Sequence, residues 1–112
     1  MDLHPDDVLL FSEVAATMRI VARNYELPLR HISGMPIPRN KMFNRLGDCT
    51  GTGDIRLVLR CCDNGVWEDV PLSPDKIWDT AAHELAHLRH MNHGPEFQDF
   101  CEEMQVAMNN QR

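Results

Sequence analysis

The sequence predicts an α+β domain in which helices flank a central group of short strands. From Pro5 to about Tyr25, and again in the last third of the chain, apolar residues recur every three or four positions, the period of an amphipathic helix. Between these stretches the period changes to two, and the pair Asn64-Gly65 is a strong signal for a two-residue hairpin turn. The predicted architecture is an N-terminal helix, a mainly antiparallel sheet of three or four strands, and two further helices.

The first predicted helix, from about Pro5 to Tyr25, presents a single apolar stripe. The stripe consists of Val8, Phe11, Ala15, Met18, Ala22 and Tyr25. Acidic residues near the start of this segment, and the basic Arg19 and Arg23 near its end, suit the dipole of a helix. Pro28 cannot continue a helix, so we expect the helix to end before it.

The middle of the chain predicts an antiparallel meander. The strand candidates are residues 29–33, 42–49, 54–62 and 66–70. The clearest is the third, in which Ile55, Leu57 and Leu59 occupy alternate positions. The Asn64-Gly65 turn would connect this strand to the returning one.

A second helix is predicted after the strands. Ser73 followed by Pro74 is a typical helix start, with serine as the N-cap and proline at the first helical position. The apolar pattern indicates that the helix runs to about Met91 or Asn92. Its core face is expected to contain Ile77, Ala81, Leu85 and Leu88.

A last helix is predicted from about Pro95 to Met108, after residues 93–95 interrupt the pattern. Its inward residues are expected to be Phe97, Phe100, Cys101, Met104 and Met108. It also carries four acidic residues, Glu96, Asp99, Glu102 and Glu103. A solvated acidic face explains these carboxylates without any further function.

The composition is that of an ordinary folded protein. With 112 residues the chain has room for one core, so residues 1–112 are predicted to form a single domain. The 43% hydrophobic and 25% charged residues exclude a disordered or low-complexity segment. No apolar run is long enough to span a bilayer, and the first residues are acidic where a secretory signal would be basic and then apolar. We therefore expect an intracellular, cytoplasmic protein with no membrane partner.

The charge balance bears on nucleic-acid binding. The chain has 17 acidic and 11 basic residues, a net charge of −6 with histidine neutral. A protein that binds nucleic acid on its own usually carries a basic face, because neutralising phosphates supplies most of the affinity. Here the arginines and lysines are scattered along the sequence, so autonomous nucleic-acid binding is not expected.

The four cysteines do not form a metal-binding pattern. They are Cys49, Cys61, Cys62 and Cys101, and no two of them have the CxxC spacing. Cys61 and Cys62 would point to opposite faces of a strand, so they cannot easily share a metal ion. The prediction is that all four are free, buried or half-buried thiols in a reducing compartment.

The residues that carry chemistry are His83-Glu84-Leu85-Ala86-His87, an HExxH motif within the second helix. Residues four apart lie one turn above each other on one helix face, so the two imidazoles can converge on one metal ion. Zinc suits this arrangement because it binds histidine nitrogens at about 2.0–2.1 Å in tetrahedral geometry. Glu84 would not be a ligand; it could take a proton from the water that attacks a carbonyl and pass it to the leaving amine.

Two histidines compete for the place of a third ligand. His90 is a further turn along the same helix, and three ligands along one straight helix do not easily surround a tetrahedral ion. His93 lies just past the predicted helix end, from where its side chain can fold back towards the metal, so His93 is favoured. A carboxylate of the last helix, Glu102 or Glu103, is the alternative.

Several other polar residues have two interpretations each. His90 is either a surface residue or a group near the cleft that steadies an oxyanion. Asp79 either accepts the far ring proton of a ligand imidazole or lies on the helix surface. Asn92 is expected to serve the helix end rather than the reaction, and His4 and His31 have no identifiable partner.

The segment from His83 to Phe97 resembles the active-site region of SprT-like and YgjP-like metallopeptidases and, more distantly, that of WLM proteases. In those families HExxH is followed within a short span by a histidine, a small residue and a phenylalanine. Upstream, residues 46–49 and 53–60 resemble a strand pair of the pattern Gly-x-Cys and Gly-x-Ile-x-Leu-x-x-Arg. The resemblance covers residues 43–100.

The resemblance implies a small zincin-like fold, a zinc helix beside a sheet, and a cleft that takes extended peptide along a strand edge. It also implies one zinc ion per chain, with His83, His87 and His93 as ligands and Glu84 as the general base.

The sequence departs from related patterns in three places. Metzincins have a glycine where His90 stands, and the tryptophan often found before the family's Gly-x-Cys is Leu46 here. SprT-like proteins that act at DNA often carry a further zinc-binding module or DNA-binding segment, which the sequence up to Arg112 lacks. We therefore expect any DNA-linked role to need a recruiting partner.

Three functions follow from these observations. The first is a zinc-dependent metalloendopeptidase that hydrolyses exposed or unfolded segments of intracellular proteins. The second is a catalytically inactive, zinc-stabilised interaction module, although a purely structural site has no need of Glu84. The third is a DNA-associated protease that a partner recruits.

Overall fold

The computed structural model describes residues 3–44 and 46–112. A short 3-10 helix at Pro5–Asp7 leads into helix α1, Val8–Asn24. The buried side chains of α1 are Val14, Ala15, Thr17, Met18, Val21 and Ala22. The predicted helix is confirmed, but its buried face is wider than the predicted stripe, and Val8 is exposed. Thr17 can be buried there because its hydroxyl donates a 2.9 Å hydrogen bond to the carbonyl of Glu13.

Helix α1 ends in a Schellman-type cap. The N–H of Leu27 donates to the carbonyl of Ala22 at 2.8 Å, and the N–H of Glu26 donates to that of Arg23. Glu26 adopts the left-handed conformation, with φ of 54°, that this cap requires. The chain then enters strand β1 at His31–Gly34.

The central sheet has three strands in the order β1-β3-β2, where β2 is Gly47–Cys49 and β3 is Asp54–Leu57. Strand β2 pairs with β3 antiparallel, as the predicted meander requires. Strand β1, in contrast, pairs with β3 in parallel, with Ile32 opposite Ile55. The prediction of an antiparallel meander is therefore wrong for β1, although the predicted α+β class and mainly antiparallel pairing are confirmed.

The connection between β1 and β2 explains this difference. The predicted strand at residues 42–49 is wrong over its first part, because Arg39–Asn44 forms a 3-10 helix and β2 begins only at Gly47. This connection carries the chain from one edge of β3 to the other, so that β1 and β2 lie on opposite sides of it.

The predicted strand at 54–62 is also shorter than expected. Four consecutive residues after β3, from Val58 to Cys61, are buried, so the alternation of inward and outward side chains stops there. Strand β4, Cys62–Asp63, pairs antiparallel with β5, Val66–Trp67. Asn64 and Gly65, the two residues between these strands, both have positive φ, which confirms the predicted hairpin turn.

A buried ion pair connects the start of the chain to this hairpin. Arg60 donates two hydrogen bonds of 2.9 Å to the carboxylate of Asp7 and a third, of 2.8 Å, to the carbonyl of Glu68. Both charged side chains are only 5% exposed. The buried pair therefore has its charges matched and its hydrogen bonds made on all sides.

Helix α2 spans Pro74–His87, and the side chain of Ser73 accepts a hydrogen bond from the N–H of Lys76 as predicted for its N-cap. The helix ends before the predicted Met91 or Asn92, because the N–H groups of Leu88 and Arg89 bond to carbonyls only three residues back. Its core face is confirmed at Ile77, Ala81 and Leu85, and Leu88 is half-buried.

Helix α3 spans Pro95–Gln111, three residues longer than predicted. All five predicted inward residues are buried: Phe97, Phe100, Cys101, Met104 and Met108. The four acidic residues Glu96, Asp99, Glu102 and Glu103 are exposed, as a solvated face requires. Helices α2 and α3 pack closely against each other and against α1 to complete the core.

The four cysteines are free thiols, buried at Cys61 and Cys101 and half-buried at Cys49 and Cys62, which confirms the prediction of their burial and free state; the reducing compartment stays a prediction. Within residues 3–44 and 46–112, no helix is long and apolar enough to cross a membrane.

Candidate metal centre

Three histidine side chains meet where α2 ends. His83 and His87 are one helical turn apart on α2, and His93 lies in the connection to α3. The Nε2 atom of His87 is 3.1 Å from Nε2 of His83 and 3.1 Å from Nε2 of His93. The structure therefore brings together the three residues that the sequence singled out, with their ligand atoms within 4.8 Å of one another.

This arrangement fits a zinc ion. Two nitrogens that bind zinc at about 2.05 Å with tetrahedral angles are about 3.3 Å apart. The two measured separations, both 3.1 Å, are close to that value. Three imidazole nitrogens are also a donor set that zinc prefers, and within the described residues the group contains no carboxylate or thiol.

The backbone of His90 fixes the orientation of His87. Nδ1 of His87 lies 3.0 Å from the carbonyl oxygen of His90, which can only accept a hydrogen bond. The proton of a neutral His87 ring is therefore assigned to Nδ1, and Nε2 is left with a free lone pair that points towards the other two histidines. A metal site uses such a contact to hold a ligand in the binding tautomer.

The ring of Phe97 packs against the imidazoles of all three histidines. It stacks on His87 with the ring centres 4.4 Å apart and an angle of 24° between the planes. His83 and His93 make T-shaped contacts with the same ring, with centre distances of 5.0 and 4.9 Å. Because Phe97 is 1% exposed and held in the core, it gives the three imidazoles a rigid apolar platform.

Burial changes the proton affinities of this group. Burial lowers the pKa of both His83 and His87 below the ordinary value, since a charged imidazole loses hydration there. Neighbouring imidazoles lower the pKa of both rings further. Near neutral pH the rings are therefore held in the neutral form that binds a metal.

Glu84 is next to His83 on α2, and its side chain is almost fully buried, at 5% exposure. Burial raises the pKa of its carboxyl to about 7, and the negative charge of Asp48 adds to the increase. A carboxyl that titrates near neutrality can both accept and return a proton.

Gly47 allows strand β2 to pass directly over Glu84. A Cβ atom at Gly47 would lie 2.8 Å from the carbonyl oxygen of Arg56, 2.9 Å from Cγ2 of Thr80 and 3.3 Å from Oε2 of Glu84. Only glycine therefore fits at this crossing of β2 and α2. Gly47 is the glycine of the Gly-x-Cys pattern at residues 46–49, and this pattern is the sequence signal for a role that was not predicted.

The structure also shows where the residues with two interpretations lie. The ring of His90 is half-buried against Phe100, with the ring centres 5.8 Å apart, so the backbone of His90 and not its ring supports the centre. Asp79 and Asn92 are exposed. One interpretation of Asp79 made it the acceptor of a ligand's ring proton. For His87 that acceptor is instead the carbonyl of His90.

The carboxylates of α3 are not part of the histidine group. Glu102 is exposed, and Glu103 lies beside the hydroxyl of Tyr25, whose pKa is raised by burial and then by this carboxylate. His4, for which no partner was predicted, accepts a hydrogen bond from the N–H of Asp6 and packs edge-on against Trp67. His31 is exposed at the start of β1.

Comparison with protein families defines the class of the chain. The family model described as YgjP-like, metallopeptidase domain matches residues 12–111. The fold and the match together make this a metallopeptidase domain. The chain belongs to the YgjP-like family, which confirms the resemblance seen in the sequence. No curated protein matches the sequence.

Solved structures of Wss1 have a similar fold. The crystal structure of Wss1 from Saccharomyces cerevisiae has a TM-score of 0.73 at 24% identity, covering 94% of this chain and 80% of that one. A glutamate-to-glutamine variant of Wss1 from S. pombe has a TM-score of 0.69 at 17% identity, covering 93% and 87% of the two chains. At these identities the similarity establishes the fold.

Proposed function

We propose that this metallopeptidase domain is a zinc-dependent endopeptidase that hydrolyses peptide bonds of intracellular proteins. The observation that supports this most directly is the convergence of three histidine Nε2 atoms beside a buried glutamate. In this proposal His83, His87 and His93 hold one zinc ion, and Glu84 is the general base. Residues 1–112 would form one catalytic domain whose partner is a protein or peptide substrate.

The zinc ion, when bound, would act as a Lewis acid and lower the pKa of water. Glu84 accepts the proton of the attacking water on its carboxylate and donates it to the nitrogen of the leaving amine. Its burial favours this exchange, because burial raises the pKa of the carboxyl, to about 7 in the metal-free protein, and so strengthens it as a proton acceptor. His87 keeps its proton on Nδ1 through the carbonyl of His90, so that Nε2 remains available as a ligand.

Two variants separate metal binding from catalysis. We expect Glu84→Gln to keep about one zinc per chain, because the three imidazoles are untouched, but to lose hydrolysis by about 10²–10⁴-fold. We expect His93→Ala to lose most of its zinc. Elemental analysis of both purified variants and a peptidase assay on an unfolded protein substrate would test this.

His31→Ala is the matched control, because it removes an exposed histidine from β1. It should change neither zinc content nor hydrolysis. Full activity in Glu84→Gln would remove Glu84 from its role, and full zinc content in His93→Ala would show that the third ligand lies elsewhere. A wild-type protein with zinc but without peptidase activity would favour the inactive interaction module.

A further inference from the structure

A cavity with a volume of about 300 Å³ lies at the end of α1. Its lining combines three arginines, Arg19, Arg23 and Arg30, with four apolar residues, Ala22, Leu27, Leu29 and Ile32. It opens beside β1, one edge strand of the sheet, whereas Gly47 and Glu84 meet at β2, the opposite edge strand. The cavity is therefore separate from the histidine centre, and its function does not depend on the one proposed above.

The apolar floor of this cavity is held in place by the backbone. Ala22 and Leu27 are joined by the 2.8 Å hydrogen bond of the α1 cap, and both side chains are buried. The N–H of Arg30 donates to the carbonyl of Gly53 at 2.8 Å, which fixes the start of its side chain. Gly53 has φ of +93°, and a Cβ there would lie 2.2 Å from the carbonyl oxygen of Pro28. The backbone at Gly53 is therefore in close contact with the backbone at Pro28. The cavity is thus formed before any ligand arrives.

Among the residues that the structure describes, the side chains of Arg19, Arg23 and Arg30 have no hydrogen-bond or ion-pair partner. Each of the other described arginines has at least one partner. Arg39 contacts Glu68, Arg56 contacts Asp48, Arg60 contacts Asp7 and the Glu68 carbonyl, Arg89 contacts the Tyr25 carbonyl, and Arg112 contacts Asn109. For Arg19, Arg23 and Arg30, the described part of the chain provides no carboxylate within ion-pair distance. Three positive charges of one cavity are therefore left without a paired carboxylate from the described residues, in a protein with 17 acidic residues. An anion bound among them would relieve their mutual repulsion.

We propose that this cavity binds a small phosphate monoester with an apolar or aromatic body. A phosphate monoester carries about 1.5–2 negative charges near pH 7 and three acceptor oxygens, which suits several guanidinium groups better than a single carboxylate does. The half-buried Leu29, together with the small exposed parts of Leu27 and Ile32, forms an aliphatic patch for the body of the ligand. The volume of about 300 Å³ is at the lower end of the range for ligand pockets. A long polyanion is disfavoured because the whole chain has a net charge of −6.

Titration of the full chain, followed by amide and arginine side-chain NMR signals, tests this. The probes are phenyl phosphate, inorganic phosphate and phenol. We expect phenyl phosphate to bind most tightly, because it alone offers both the charged group and the apolar body. The largest shifts should fall in residues 19–32, and binding should weaken as salt is added, since the arginines are exposed.

Arginine variants locate the site. Arg23→Gln and Arg30→Gln should each weaken phenyl phosphate binding by about three- to tenfold, and the double variant by more. Arg112→Gln is the matched control, because it removes an exposed guanidinium far along the chain and should leave binding unchanged. Thermal unfolding of each variant would show that the fold is intact.

Three results would overturn the proposal. One is binding of phenyl phosphate that is absent, or equal in wild type and the double variant. Another is equal binding of phenol and phenyl phosphate. The third is tighter binding of a single-stranded oligonucleotide or of a phosphotyrosine peptide than of phenyl phosphate, since either would assign the arginines to a macromolecule.

Discussion

Two groups of ionisable side chains are buried in this protein, and they are organised in opposite ways. Asp7 and Arg60 carry opposite charges, contact each other through two hydrogen bonds and have a further backbone acceptor at Glu68. In the second group, whose buried members are His87 and Glu84, imidazoles face imidazoles and the carboxylate lies near another carboxylate, that of Asp48. The contacts of the first group bring opposite charges together, whereas burial in the second group raises the pKa of Glu84 and lowers that of His87 without an opposite charge beside either.

The contrast shows what each group is for. A buried ion pair with matched charges fixes the position of two segments that are distant in sequence, here the start of α1 and the β4–β5 hairpin. A buried group whose members discourage each other from ionising stabilises the fold little by itself. Packing on Phe97 and the backbone of His90 hold it together instead, which leaves its ligand atoms and its carboxylate available for chemistry.

The largest expected effect comes from breaking the matched pair. Asp7→Leu should lower the free energy of unfolding by about 3–5 kcal/mol, because the guanidinium of Arg60 would stay buried without its counter-charge. The double variant Asp7→Leu/Arg60→Met should recover most of this loss, since neither charge remains. Urea unfolding of the three proteins measures both quantities. A double variant as unstable as the single one would show that the pair does not act through its charges.

Removing the aromatic platform tests the second group. Phe97→Leu keeps an apolar side chain in the core but loses the flat ring under the histidines, so stability should fall by about 1–1.5 kcal/mol. Zinc affinity should fall by about tenfold, as for other groups that orient metal ligands. Competition with a chelator measures the affinity. Phe100→Leu is the control, because this second buried ring contacts His90 and not the three imidazoles. Equal loss of affinity in both variants would contradict a specific role for Phe97.

The smallest effect is the pH dependence of stability in protein stripped of metal. The pKa of Glu84 is raised from 4.5 to about 7, so its contribution to stability is complete below pH 4.5 and is lost as the pH rises towards 7. The pKa values of His83 and His87 are lowered from 6.5, so their contribution is complete above pH 6.5 and is lost as the pH falls. The two effects oppose each other in the wild type between about pH 5 and 7.

The variant Glu84→Gln separates the contribution of Glu84 to stability from that of the histidines. The variant keeps only the histidine contribution, so relative to the wild type it should lose stability as the pH is lowered from about 7 to 5. Urea unfolding of both proteins at the two pH values, with a chelator present, gives the difference. Identical pH dependence in the two proteins would show that burial does not raise the pKa of Glu84.

Local sequence signals predicted the parts of the site that lie on one helix. The spacing of His83 and His87 fixes their common face, and the break at residues 93–95 indicated that His93 could fold back. The five inward residues of α3 were also predicted correctly, because the period of a helix is visible within a short stretch of sequence. That residues 1–112 form one domain, and that the protein is cytoplasmic, stay predictions.

The parts that sequence reasoning missed depend on contacts between distant segments. Parallel pairing of β1 with β3 follows from the path of the chain through Arg39–Asn44, which no local period encodes. The support that His87 receives from His90 comes from a backbone carbonyl, and every residue has one, so residue type gives no signal for it. The role of Gly47 likewise depends on how closely β2 crosses α2.

The early end of α2 has a kinetic consequence. His87 is its last residue, and the segment from Leu88 to Gly94 carries both the carbonyl that orients His87 and the ring of His93. A brief opening of this segment alone would separate the three nitrogen atoms while the rest of the fold stays intact. Exchange of an ion between this centre and its surroundings would then be timed by the loop and not by global unfolding. Amide hydrogen exchange over residues 88–94 would report the opening of the same segment.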